Sequence, residues 1–469
     1  MAHSHRPNQQ MRELLREAAW TGQELADAVN RIGAESGLVL RYDRTSVSHW
    51  LIGTRPRRPV PDLVAEAFSR RLGRSLTHEQ VGFPQAAAVW SGPSVTGALA
   101  VDGPTRTWEE GDAVTVLARL GRAQPDPVGR RRQLLAVLGY RVGALAVPGF
   151  EQADPLSVLA AAEADPRAGR VEPFEVDAAE WLASVFHAGD TAFGGGHTRQ
   201  ALAAYLAVDL APKLRRPATP AVRRRLLAIC AQLTYLCAFM CFDDEKHGHA
   251  QQYYRAALRL AAEGGDRIVY AVALRGMSVQ AHALGHCREA VRLAEAAAMS
   301  APARTRQQAF LQGQLAVVRA ADHDAYNALR ALSAAERCLE RATSSGVPLV
   351  GVYHQAALLH QQSAVRRLLG DRPGAIAALQ ESVRQRPAEE RRSRVVVLAE
   401  LAELQLGHGH LEQAVATWNR FLDDYPALAS GRATSALTQM RLRLRPHVGN
   451  PGARLLLHRA GRITPVARP

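Results

Sequence analysis

The sequence predicts an all-α protein, with a small N-terminal helical domain, connecting helices and a long C-terminal α-solenoid. Three observations carry this. Hydrophobic residues make up 47% of the chain but aromatics only 6%, a balance that favours helix over sheet. The N-terminal stretch, residues 8–72, holds four short amphipathic segments with their own start and stop signals. From residue 176 onward an alanine-led apolar pattern returns at spacings of 49, 40, 38, 47 and 39 residues, the mark of stacked repeats. A chain of 469 residues has room for about two or three domains. They are drawn as 1–82, 83–175 (linker and connecting helices), 176–445 and a basic tail at 446–469.

The first element buries Met11, Leu14, Leu15 and Ala18 from within 8–19. Thr21 caps a second helix over 23–29, with Glu24 at the capping-box position. The stretch 43–59 reads as a third helix. Asp43 is its N-cap, Gly53 ends it, and Pro56 prevents continuation. Val47, Trp50 and Leu51 form one apolar stripe, which leaves Arg44, Thr45, Ser46, Ser48 and His49 facing outward. Arg55, Arg57 and Arg58 follow directly. Small polar side chains suit base edges and arginines suit phosphates, so this is the candidate helix for contact with double-stranded DNA. Pro61 opens a fourth helix with Leu63, Val64, Ala67, Phe68 and Leu72 apolar. The alternative is a small helical domain that docks protein.

Charge agrees with a polyanionic partner. Lys and Arg total 58 against 44 Asp and Glu, a formal charge of +14. Only Lys213 and Lys246 are lysines, a skew that fits a GC-rich genome and lowers the weight of any single arginine. The excess is uneven: 41–58 hold five arginines and one aspartate, and 429–469 hold eight arginines and no acid. No secretory signal opens the sequence. Arg130, Arg131 and Arg132 precede an apolar run that looks like an export signal, but it lies deep in the chain and Arg141 interrupts it. Five cysteines, an odd number, suit reduced thiols in the cytoplasm. Cys230, Cys237 and Cys241 share a helix face, followed by His247 and His249. A packed core accounts for them better than a metal does. Neither metal, cofactor nor membrane is expected. Residues 82–107 are rich in Gly, Pro, Ser and Thr and read as linker, with helical patterning at 108–120 and 129–146.

In the repeats an alanine is followed by a larger apolar residue four on and a small or apolar one seven on. Ala250-Tyr254-Ala257, Ala290-Ala294-Ala297, Ala375-Leu379-Ser382 and Ala414-Trp418-Phe421 show this. Ala201-Tyr205-Val208 and Ala328-Leu332-Ala335 are weaker echoes. Gly285, Gly370 and Gly409 fall five residues before the alanine, and Pro302, Pro387 and Pro426 twelve after it. Glycine closes the inter-helix turn, alanine admits close helix packing and proline stops the second helix. Leu274, Met277 and Ala281, and Leu398, Leu401 and Ala402, occupy core places of first helices, whereas Gln362 and Arg366 stand where apolar residues are expected. Residues 430–445 suit a closing helix with Leu437, Met440 and Leu442 inward.

The residues Thr21, Gln23, Leu25, Ala26, Val47, Ser48, Trp50 and Gly53 resemble the lambda-repressor-like, phage-Cro type of helix-turn-helix regulator. One departure is the longer connection, 31–42, between the second and third helices. The repeats resemble a long form of the tetratricopeptide repeat. The combination resembles peptide-responsive regulators of Gram-positive bacteria. It resembles still more a group of actinomycete regulators of sporulation and antibiotic production, on Met11–Arg16, Tyr42–Pro56 and Arg130–Leu135. The resemblance implies a cytoplasmic transcriptional regulator, binding DNA as a homodimer, with a signalling peptide or protein partner in the repeat channel. The alternative is a non-enzymatic adaptor that binds another regulator.

No nucleophile elbow, phosphate loop or zinc-protease pair is present, so no enzyme is expected. Phe193-Gly194-Gly195-Gly196-His197 reads as a turn between helices. In a helical-repeat stack the first helix of each pair lines the concave face. That places Arg275, His282, His360 and Arg367 on the channel, with Gln312 and Gln361 nearby and Val279, Ala364 and Val396 as apolar wall. Such a lining suits an extended peptide with an acidic group or free carboxylate.

Overall fold

The computed structural model describes residues 7–35, 38–57, 59–74, 76–83, 113–122, 140–150, 169–300, 306–342 and 353–463. Every regular element among them is helical. Arg58, most of the expected linker, the arginine cluster at 130–132 and Pro302 lie outside the described residues. The chain divides into two units. One takes 1–111, 123–148 and 246–251, and the other takes 112–122, 149–245 and 252–469.

The first unit is built on α1 (Gln9–Glu17), α2 (Gly22–Glu35), α3 (Arg44–Leu51) and α4 (Val60–Leu72). Met11, Leu25, Val29, Val47, Val64 and Phe68 are fully enclosed in its core. The Thr21–Glu24 capping box forms: the Thr21 N–H donates to Glu24 Oε2 (2.6 Å) and the Glu24 N–H to Thr21 Oγ1 (3.2 Å). α2 runs on to Glu35, beyond the expected 23–29. The long connection after it is tied back by Asn30, which donates from Nδ2 to the Tyr42 carbonyl (2.8 Å) and accepts from the Tyr42 N–H (2.9 Å). Two side-chain bonds therefore do the work of a tight turn.

The second unit stacks helices in pairs: α6 (Pro173–Phe193) with α7 (Gly195–Tyr205), then α8 (Pro220–Asp243) with the part of α9 (His247–Gly264) that follows residue 251. Next come α10 (Arg267–Ala283) with α11 (Cys287–Ser300), and α12 (Arg306–Ala321) with α13 (Ala325–Glu340). The last pairs are α14 (Gln355–Leu368) with α15 (Arg372–Gln385), and α16 (Arg391–Gly407) with α17 (Leu411–Asp424). Then follow α18 (Gly431–Leu444) and α19 (Pro451–Gly461), and α5 (Ala113–Arg122) belongs to the same unit. Ala250, Ala290, Ala328, Ala375 and Ala414 are all completely buried, as close helix packing requires. Gly285, Gly370 and Gly409 adopt φ of +84°, +92° and +87°, the left-handed turn for which glycine has no steric cost. α8 is long and apolar enough to cross a membrane, but 83% of its most apolar window is buried inside this unit. Its three cysteines are part of that packing.

Four sequence expectations need correction. In the echo Ala201-Tyr205-Val208, Ala201 is exposed and Val208 is 74% exposed. A π-turn at Leu206–Leu210 adds a residue to the helix there, so the buried face passes instead through Leu202, Leu206 and Leu210. In α14 the inward positions are Leu358, Gln361 and Val365, one place before the expected Gln362 and Arg366. Leu442 of α18 is outward, because Leu437, Met440 and Leu444 already form the i, i+3, i+7 stripe. The expected tail contains α19, which Asn450 caps and which buries Ala453, Leu456 and Ala460.

The solenoid closes on itself. The Ala429 N–H donates to the Phe193 carbonyl (2.8 Å), and the Gly196 N–H donates to the Ala429 carbonyl (2.8 Å), so the first pair is bonded to the segment before α18. Arg392 of α16 reaches Asp190 of α6 (Nη2–Oδ2 3.1 Å), both buried, and Glu245 accepts from the Ser435 hydroxyl (2.8 Å). Gly194 and Gly196 are needed at this seam, and Gly195 where α7 meets α8. A Cβ on Gly195 would stand 2.6 Å from the Met240 carbonyl oxygen, and one on Gly196 would stand 2.8 Å from that of Ala429. Gly196→Ala is expected to cost about 1–3 kcal/mol through this backbone overlap. Gly407→Ala meets nothing within 4 Å and should be neutral. Denaturant midpoints of the two variants check this, and equal midpoints would remove the seam as the reason for Gly196.

Candidate DNA-contacting face and the solenoid cavity

α3 is fixed from both sides. The Asp43 carboxylate accepts from the Ser46 N–H (2.9 Å) and the Ser46 hydroxyl (2.8 Å), which closes the N-terminus and holds the Asp43 carboxyl below its ordinary range. Val47 and Trp50 point into the core, and Trp50 packs edge-on against Tyr42 at 5.1 Å between centroids. The Arg44 N–H donates to Gln23 Oε1 (3.1 Å), which joins the start of α3 to the start of α2.

Arg44, Thr45, Ser48 and His49 are exposed on the outer face, with Arg55 and Arg57 exposed just beyond it. Ser46 is not free in the same way: it is half-buried and its hydroxyl serves the cap. The Ser48 hydroxyl donates to the Arg44 carbonyl (3.0 Å), a bond it can exchange at little cost because it is exposed. The outward set is thus Arg44, Thr45, Ser48 and His49, with Ser46 reassigned to holding the helix start.

The second unit encloses a cavity of about 920 Å³. Its wall comes mainly from the first helix of each pair, with α18 completing the circuit. Arg275, His282, His360, Gln361 and Arg367 all line it, as do Val279, Ala364 and Val396. Gln312 does not. It borders a separate shallow hollow between α12 and α13, and Gln314, two residues on, takes the inward place. His323 stands where the other repeats carry the turn glycine, which hid the register of that helix from sequence reasoning.

Sequence reasoning also missed the aromatic part of the wall. Three arginines lie over three phenylalanines: Arg275 on Phe310 (3.4 Å to the centroid), Arg392 on Phe239 (4.7 Å) and Arg432 on Phe242 (5.2 Å). Neither partner of such a pair is near the other in sequence, and no local spacing announces it. The Gln361 side-chain oxygen accepts from the Tyr353 hydroxyl at the cavity edge. Glu400 bonds His360 (2.8 Å). Partial desolvation pulls the Glu400 carboxyl upward, yet His360, Arg432 and Arg367 hold it down to about 2. Burial pushes the imidazoles of His187 and His282 below their ordinary range, with Arg392 and Arg367 respectively adding to it. Among the described residues the His187 Nδ1, His282 Nδ1, Arg386 Nε, Glu403 Oε1 and Trp418 Nε1 atoms are buried at this wall without a hydrogen-bond partner.

Residues 11–84 match the family model of the SP15 N-terminal domain. The match runs from α1 through α4 to the turn beyond it, so this helical unit is one module and the solenoid lies outside the match. No curated protein matches the chain.

Proposed function

We propose that the chain is a DNA-binding transcriptional regulator of the helix-turn-helix kind, whose solenoid, of the tetratricopeptide type, receives a ligand that changes the DNA-binding state. The observation that carries this is the face of α3. Arg44, Thr45, Ser48 and His49 stand outward from a helix anchored by Val47 and Trp50, with Arg55 and Arg57 alongside. Short polar groups on a rigid helix can approach base edges, and flanking cations hold phosphates. The net charge of +14 favours the encounter. A homodimer on a two-fold site is the expected form, and control of development or secondary metabolism follows from the actinomycete resemblance alone.

The test is a gel shift with genomic fragments at rising salt. Arg55→Ala with Arg57→Ala should weaken binding to every fragment alike and reduce the salt slope by about 2. Thr45→Ala with His49→Ala should instead redistribute binding among fragments, by about 1–3 kcal/mol for each good base contact. Absence of any complex at low salt would replace this reading with the adaptor.

A further inference from the structure

We propose that the solenoid cavity is a receptor for a small organic anion, an oxyanion headgroup joined to an apolar, ring-sized body. This rests on the reading that the solenoid is the ligand-receiving part of the protein. Charge is the first observation. Six arginines and four carboxylates line the cavity. Arg386 pairs with Glu390 (2.7 Å), Arg392 with Asp190 (3.1 Å) and Arg443 with Glu403 (2.9 Å). Glu400 is taken by His360. Arg275, Arg367 and Arg432 therefore have no carboxylate of their own within salt-bridge distance among the described residues. Arg367 and Arg432 both act on Glu400, and six arginines against four carboxylates leave the wall an excess of two positive charges for an anion to meet.

The layering of Arg on Phe is the second observation. A guanidinium held over a ring face spends no N–H on that contact, so its N–H groups stay available for two parallel bonds to an oxyanion. Arg275 commits its Nε to the Phe310 carbonyl (3.2 Å) and Arg392 is held by Asp190, whereas Arg432 has its stacked ring and a free edge among the described residues. Arg432 is the anchor, and Arg367 is the second cation beside it.

Third, the wall holds polar atoms that the protein leaves unanswered. The Trp418 indole N–H belongs to a side chain with no exposed surface, yet it borders the cavity without an acceptor. Such groups in a native fold call for a partner. Between the polar points the wall is apolar, through Val279, Val317, Ala364 and Val396, so an inorganic anion would leave most of it uncovered. The space, about 920 Å³, suits a compact guest, since small-molecule sites span about 300–1,000 Å³.

The experiment titrates full-length protein with 8-anilinonaphthalene-1-sulfonate, a fluorescent aromatic monoanion. One saturable site is expected, displaced by 4-phenylbutyrate or phenyl phosphate but not by inorganic phosphate or the neutral 4-phenylbutyramide. The better of the two displacing compounds identifies the headgroup. Arg367→Ala with Arg432→Ala should weaken the dye at least tenfold, whereas Arg366→Ala, outside the cavity, should leave it unchanged. Circular dichroism checks that each variant is folded. Should the double variant fail that check, Arg432→Lys, which keeps charge but loses the planar fork, should give a smaller loss. Unchanged affinity in the arginine variants, or equal displacement by the neutral amide, overturns the proposal. Gel shifts with and without 4-phenylbutyrate keep the two readings apart. Arginine-dependent dye binding without any DNA complex retains the anion site and removes the regulator.

Discussion

Arg392→Ala is expected to lower the stability of the solenoid by about 3–5 kcal/mol, the usual cost of removing one partner from a buried ion pair. The side chain donates from Nη2 to Asp190 Oδ2 (3.1 Å) and from Nε to the Asp190 carbonyl (3.3 Å), and it covers Phe239. Without it Asp190 stays buried near Asp243 with no ion-pair partner among the described residues. Urea unfolding followed by circular dichroism measures the loss, and a change under 1 kcal/mol would mean that the seam does not depend on this pair. The same site sets a pH dependence. Burial pushes the Asp190 carboxyl up to about 6, Asp243 adds to the rise and Arg392 opposes it. The folded form thus keeps a proton that the unfolded chain releases near its ordinary value of 3.8. This contribution is present in full below pH about 4 and is lost as the pH rises through about 6. Asp190→Asn should flatten that slope, as urea midpoints between pH 4.5 and 7 would show.

Trp50→Ala is the second large effect. Trp50 is 4% exposed, joins the core of the first unit and packs on Tyr42, whose backbone Asn30 clamps. Removal of a buried tryptophan costs about 3–5 kcal/mol, a large share of what so small a core supplies. α3 should lose its seating, and DNA binding should fall for every sequence together. That pattern separates it from the Thr45 and His49 changes, which alter preference. A Trp50→Ala protein that binds its fragments normally would show that α3 is not the contact helix.

The first unit was legible because its signals are local. Thr21 and Glu24 lie three residues apart, so their capping box can be read from spacing, whereas Ser46 reads as an outward residue although it completes the Asp43 cap. The repeats were legible for the same reason, through the alanine and glycine positions. Gln312 is misplaced by the sequence because His323 stands where the other repeats carry the turn glycine that fixes the register. The Arg–Phe layers and the Asp190–Arg392 pair were invisible, since their members lie up to 202 residues apart and meet only when the stack closes. The glycine triplet at 194–196 was noticed but explained only as a turn. Its real constraint is the backbone of Met240 and Ala429.

Stacked helix pairs ordinarily behave as a strip, each pair held by two neighbours and the terminal pairs by one, so fraying starts at the ends. Here the strip has been joined into a hoop. α6 gains in α16 and the Ala429 segment the neighbour that a first pair lacks, and the Phe193–Ala429 bonds must break before either end can peel. Loosening at any pair is then opposed from both directions around the hoop. The seam at Asp190, Phe193, Gly196 and Arg392 is where the hoop is joined, and breaking it would turn the hoop into a strip again.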